Sequence, residues 1–87
     1  MNNGAGRNFH IKSLEVSTPA IYLIEVQGTI EQKLSDNLSG MNITSYEQDG
    51  KYVTTLIGRL KDQAALAGLL KALIDLRLPI LLVEYKG

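Results

Sequence analysis

The side chains of this chain that could do chemistry are few, and their spacing seldom brings two reactive groups together. The richest run of hydroxyl and carboxyl groups is Ser35, Asp36, Asn37 and Ser39. No histidine or suitably placed lysine stands beside it to activate an oxygen, so these read as solvent-facing polar residues. The chain has no cysteine and a single histidine, His10. That removes disulfides, thiolate nucleophiles, iron–sulfur clusters and the usual zinc sites. Carboxylates alone can hold a hard cation, but no run has the D-x-D-x-D-G spacing of a calcium loop, so neither metal nor cofactor is expected. Glu25 and Glu84 each interrupt an apolar run. On one sheet face they would form an acid pair, and the plainer reading places each near a strand end in water. Tyr22, Tyr46, Tyr52 and Tyr85 are the remaining polar aromatics, able to line a flat pocket but equally ordinary as half-buried strand residues.

Such groups act only where secondary structure gathers them. Residues 1–6, MNNGAG, have nothing to bury and read as a tail. From Arg7 to Pro19, Phe9 with Ile11 and Leu14 with Val16 alternate with polar neighbours, as an arm or an added edge strand would. Residues 1–19 are therefore expected to be tail and arm, and residues 20–87 one domain. Ala20 to Gln27 is β-branched, aromatic-rich and stopped by Gly28, which predicts a strand with Tyr22, Ile24 and Val26 on one face. Thr29 to Gly40, with Ile30, Leu34 and Leu38 spaced by four, predicts a short helix. Asp49-Gly50 between two strand-like runs is the preferred two-residue hairpin turn. It pairs Asn42–Gln48 with Lys51–Gly58, setting Ile43 opposite Leu56 and Tyr46 opposite Val53. Asp62 caps a second helix, Gln63 to Leu76, with leucines at positions 66, 69, 70, 73 and 76. Pro79 ends its tail, and Ile80 to Tyr85 (ILLVEY) is a last strand, apolar on both faces.

Strand, helix, strand, strand, helix, strand predicts an α+β domain of ferredoxin-like βαββαβ topology. It has a four-stranded antiparallel sheet, strands 1 and 3 central, and two helices on one face. Nine basic and nine acidic residues balance without forming a block, so the electrostatic footprint of a nucleic-acid binder is missing. No window approaches the about 18 apolar residues of a membrane span, and the start lacks a basic stretch leading into an apolar one. No nucleic acid and no membrane are expected as partners, and cytoplasmic residence is the default.

Asp62 to Glu84, D-Q-A-A-L-A-G-L-L-K-A-L-I-D-L-R-L-P-I-L-L-V-E, resembles the C-terminal half of a family of short uncharacterised bacterial proteins. In these a D-Q-A-A-L-x-G-L-L helix runs into an L-P-x-L-x-V strand. Their upstream Y-x-I-x-V-x-G strand and short helix match Tyr22 to Gly28 and Ile30 to Gly40. The resemblance implies the fold and carries no activity. Val26-Gln27-Gly28 also resembles the opening of the phosphate-cradling loop of acylphosphatases, which share this topology. That loop needs a phosphate-binding arginine, and Gln32 stands where it would fall, between Glu31 and Lys33. The expectation is a strand ending at a glycine.

What stands out is surplus apolar surface. Ile21, Leu23, Leu81 and Val83 cannot all lie beneath two helices on one side of the sheet, and they are the expected interface residues. The expected function is a non-catalytic homodimeric interaction or regulatory module, whose partner is itself or a further protein or small ligand. The alternative, from a different class, is a small ferredoxin-like dimeric enzyme or ligand-binding regulator. It would hold a pocket between sheet and helices, and its candidate residues are Tyr22, Glu25, Asn42 and Tyr85.

Overall fold

The computed structural model describes residues 19–87, so the expected tail and all but the last residue of the arm lie outside the described residues. The described chain is an α+β domain with one antiparallel sheet and one α-helix. Its elements are β1 (Ala20–Gln27), two single 3-10 turns (Gln32–Leu34 and Asp36–Leu38), β2 (Asn42–Gln48), β3 (Lys51–Leu60), α1 (Gln63–Asp75) and β4 (Ile80–Tyr85). The strands lie in the order β2-β3-β1-β4, with β1 and β3 in the middle.

The β2–β3 hairpin has the register its turn dictates, Ile43 on Leu56, Tyr46 on Val53 and Gln48 on Lys51. Asp49 and Gly50 both take positive φ, 54° and 80°, as a turn matching the right-handed strand twist requires. β3 continues past Gly58 to Leu60, so that glycine is not a strand end. It stays a glycine because a Cβ there would come within 2.7 Å of the Met41 sulfur, which is packed in the core.

Burial settles which face is inside. Along β1, Ala20, Tyr22, Ile24 and Val26 are buried and the residues between them only half-buried. With Ile43, Leu56 and Leu60 they form the floor on which Leu69 and Leu73 of α1 rest, joined by Ile30, Leu38 and Met41. Thr54 is the buried polar member of that floor. Its hydroxyl donates to the Gly28 carbonyl at 2.6 Å and therefore accepts from Ser45 at 2.7 Å, which leaves no hydroxyl unpaired.

The expected first helix is corrected. Thr29 to Gly40 folds as two 3-10 turns, so α1 is the one α-helix, not one of two, among the described residues. A run this short does not nucleate a helix by itself, and its Ser, Asp and Asn residues favour turns. Side chains here bond elsewhere instead. Ser35 Oγ donates to the Met41 carbonyl at 2.9 Å, and Gln32 Nε2 donates to the Ile43 carbonyl, which ties the segment to β2. The apolar spacing still acts, because Ile30 and Leu38 are buried and Leu34 packs against the core.

α1 begins where its cap residue predicts, with the Asp62 carboxylate accepting from the Ala65 amide at 2.8 Å. Asp62→Ala is expected to cost about 1 kcal/mol of folding stability, while Asp62→Asn costs less than half of that. Urea melts of the two variants check it, and equal losses would mean the cap contributes through charge alone.

Candidate functional site

Strand pairing assigns every residue of the sheet to a face. The side away from α1 carries Ile21, Leu23, Glu25 and Gln27 from β1, opposite Arg59, Ile57, Thr55 and Val53 of β3. Beyond β3 the same face continues into Asn42, Thr44, Tyr46 and Gln48. It is a mixed surface. Leu23, Ile57 and Tyr46 contribute apolar area, but Glu25, Thr44, Thr55 and Arg59 break it into pieces.

β4 is different. Its pairing with β1 runs Tyr22–Tyr85, Leu23–Glu84, Ile24–Val83 and Glu25–Leu82, then shifts so that Val26 meets Ile80. Leu81 is the extra residue of a bulge, and a bulge of this kind turns two successive side chains to one side. Leu81 accordingly lines a shallow depression of the outer face with Gln27, Val53 and Lys51, and Leu82 stands on that face opposite Glu25. Of the four expected interface residues, Ile21, Leu23 and Leu81 are thus on the outer face. Val83 is corrected to the helix side with Ile24, because strict alternation along ILLVEY is broken by the bulge. Leu82 takes its place outside, opposite Glu25.

The consequence is an edge strand exposed on both faces. Leu81 is 52 % exposed, Leu82 39 %, Val83 41 % and Tyr85 49 %. No described strand pairs with the far side of β4. The opposite edge, β2, reads NITSYEQ and is mostly polar. On α1 the apolar surface continues through Ile74, 60 % exposed, which lines a depression with Leu78, Pro79 and Ile80 beside β4. Ile74 lies on a flank of α1 away from the Leu69–Leu73 stripe. α1 rests on the sheet through Leu69 and Leu73, and the 3-10 segment lies along its other side beside Ala72 and Leu76, so the Ile74 flank stays uncovered.

The candidate ligand residues do not converge. Tyr22 and Tyr85 meet edge to face on the helix side, ring centroids 5.6 Å apart, and the Tyr22 hydroxyl accepts from Gln63 Nε2 at 2.7 Å. Glu25 and Asn42 are on the outer face, Asn42 exposed opposite Ile57 and Glu25 at a long 3.5 Å from the Tyr46 hydroxyl. Glu84 is on that face too, diagonal to Glu25 and 3.6 Å from Lys86. The Gly28 amide donates to the Tyr52 carbonyl at 2.8 Å, so it is committed to the sheet and does not face an anion. Among the described residues no three acidic or histidine side chains gather as a metal site, and no helix is long and apolar enough to cross a membrane.

Comparison with known proteins gives no significant match to a curated protein or to a solved structure. One family model matches, a domain of unknown function, over residues 21–84. The match takes in α1 and all the described strands but for the first residue of β1 and the last of β4, and the chain belongs to that family, DUF8691.

Proposed function

We propose that this domain is a non-catalytic interaction module that works as a homodimer. The observation that carries the reading is β4. It presents large apolar side chains to water on both faces, at a sheet edge whose sequence has no proline or lysine within it to discourage pairing. Natural edge strands of this kind are covered, and a second copy is the partner always present at matching concentration. The division of Tyr22, Tyr85, Glu25 and Asn42 between two faces favours an interaction role over the alternative of a pocketed enzyme. The strand order and the single covered face support reading the fold as ferredoxin-like, with its first helix cut down to two 3-10 turns.

Size-exclusion chromatography with light scattering on the full chain tests this directly. A mass of two chains at micromolar concentration is expected, together with a melting temperature that rises with protein concentration. A single-chain mass and a concentration-independent melt would end the proposal.

A further inference from the structure

We infer that the two copies join edge to edge through antiparallel β4 strands, on a two-fold axis at Val83, making one continuous eight-stranded sheet. This rests on the homodimer reading and adds the surface and register. Three observations select it over face-to-face stacking of the outer sheet surfaces.

The first is the distribution of apolar area. Stacking outer faces would cover Leu81 and Leu82 but leave Val83, Tyr85 and Ile74 in water, because those three lie on the helix side. It would also bury the Glu25 carboxylate and the Glu84–Lys86 pair, a desolvation cost. The second is the backbone. Lys86 N–H donates to the Ile21 carbonyl at 2.7 Å. Alternate residues of an antiparallel strand bond the same neighbour, so Glu84 and Leu82 face β1 while Val83 and Tyr85 turn their amide and carbonyl groups outward. That row is a ready template for another strand. Val83 opposite its own copy closes a pair of hydrogen bonds from these outward groups and sets Leu82 against the partner's Glu84. Moving the axis one residue on would instead oppose Glu84 to itself, a like-charge pair.

The third is area. A stable interface takes about 800 Å² from each partner, more than the side chains of a six-residue strand supply. Edge pairing brings both copies of α1 to the same face of the joined sheet. Ala67, half-buried Leu70 and Ile74 form its flank toward β4, since Ala65 and Ala72 face the opposite way, toward Ser39 and Leu34. The helices therefore add the apolar surface the strand lacks.

The chain has no cysteine, so introduced thiols report contacts unambiguously. Full-length Leu82→Cys and Glu84→Cys are mixed under mild oxidation, with Leu23→Cys as the outer-face probe. Directly opposed residues come within disulfide reach, whereas those two positions off register are about 7–8 Å apart. A mixed Leu82–Glu84 disulfide at several times the yield of either self-linked product, with little Leu23 linkage, is expected. Dominant Leu23 linkage, or strongest self-linkage of Leu82, in a protein that remains dimeric overturns the register and leaves the homodimer reading intact. A monomer whose Val83 and Tyr85 amides resist hydrogen exchange overturns both, since the edge is then covered by the chain's own residues 1–18. Val83→Lys, at a partly exposed position that a monomer tolerates, is expected to weaken dimerisation about 100-fold by opposing two charges on the axis, with an unchanged circular dichroism spectrum. A dimer of undiminished strength overturns the axis.

Discussion

Truncation of Leu73 to alanine is expected to remove about 2–5 kcal/mol of stability and to lower the urea midpoint and melting temperature accordingly. Leu73 has no exposed surface and sits in the cluster formed by Ile24, Val26 and Leu56. One core is all that a chain of 87 residues supports, with a total stability of about 5–10 kcal/mol, so losing this one side chain consumes a large share of it. Its neighbour in sequence supplies the control. Ile74→Ala should change the stability of an isolated subunit by no more than about 0.5 kcal/mol, because the side chain lies in water there. In the dimer it should lower the melting point only at concentrations where association occurs. Urea and thermal melts at two protein concentrations separate the cases. Similar losses for both variants at every concentration would mean that α1 meets the sheet through a different flank.

The second large effect is expected at Gly28. Its φ of 111° is a conformation that a side chain rarely adopts, and an added Cβ would come 3.1 Å from Leu78 Cδ2. Gly28→Ala is therefore expected to cost about 1–3 kcal/mol from backbone strain alone. The site also bears on the edge strand. Gln27 N–H donates to the Pro79 carbonyl at 2.9 Å, the Gly28 amide bonds Tyr52, and the Gly28 carbonyl accepts from Thr54. Pressure on Leu78 is transmitted to Pro79 and the start of β4, so the variant should lose dimer affinity as well as stability. Denaturant titration with light scattering measures both. Full stability in Gly28→Ala would mean the β1 terminus adjusts its backbone without disturbing the bonds around it.

Both predictions turn on how α1 and the residue after β1 hold β4 in place. A strand held by one neighbour only, with apolar side chains on both faces, gains by acquiring a second neighbour, and the polar β2 edge has no such incentive. Function in this reading lies in an edge, and no catalytic group is needed.

Local chemistry made several elements legible from residues alone. The Asp49-Gly50 turn determines the β2–β3 register, since a two-residue turn leaves only one pairing of the strands it joins. Asp62 and the leucine spacing determine where α1 starts and which stripe is apolar, and the β-branched run before Gly28 determines β1. The surplus of apolar strand residues was also visible, as composition. Three things were not. Thr29 to Gly40 has helical spacing, but its fate depended on bonds from Ser35 to the Met41 carbonyl just before β2 and from Gln32 to the Ile43 carbonyl within it, partners outside the helix pattern itself. The inner face of the hairpin was decided by where β1 and α1 pack. The bulge at Leu81 arose because β4 must meet both Gln27, through Pro79, and Ile21, through Lys86, along a β1 that is one residue shorter between those anchors. That mismatch belongs to the pair of strands and to neither sequence alone, so only the tertiary structure decided that Val83 joins the helix side and Leu82 the outer one.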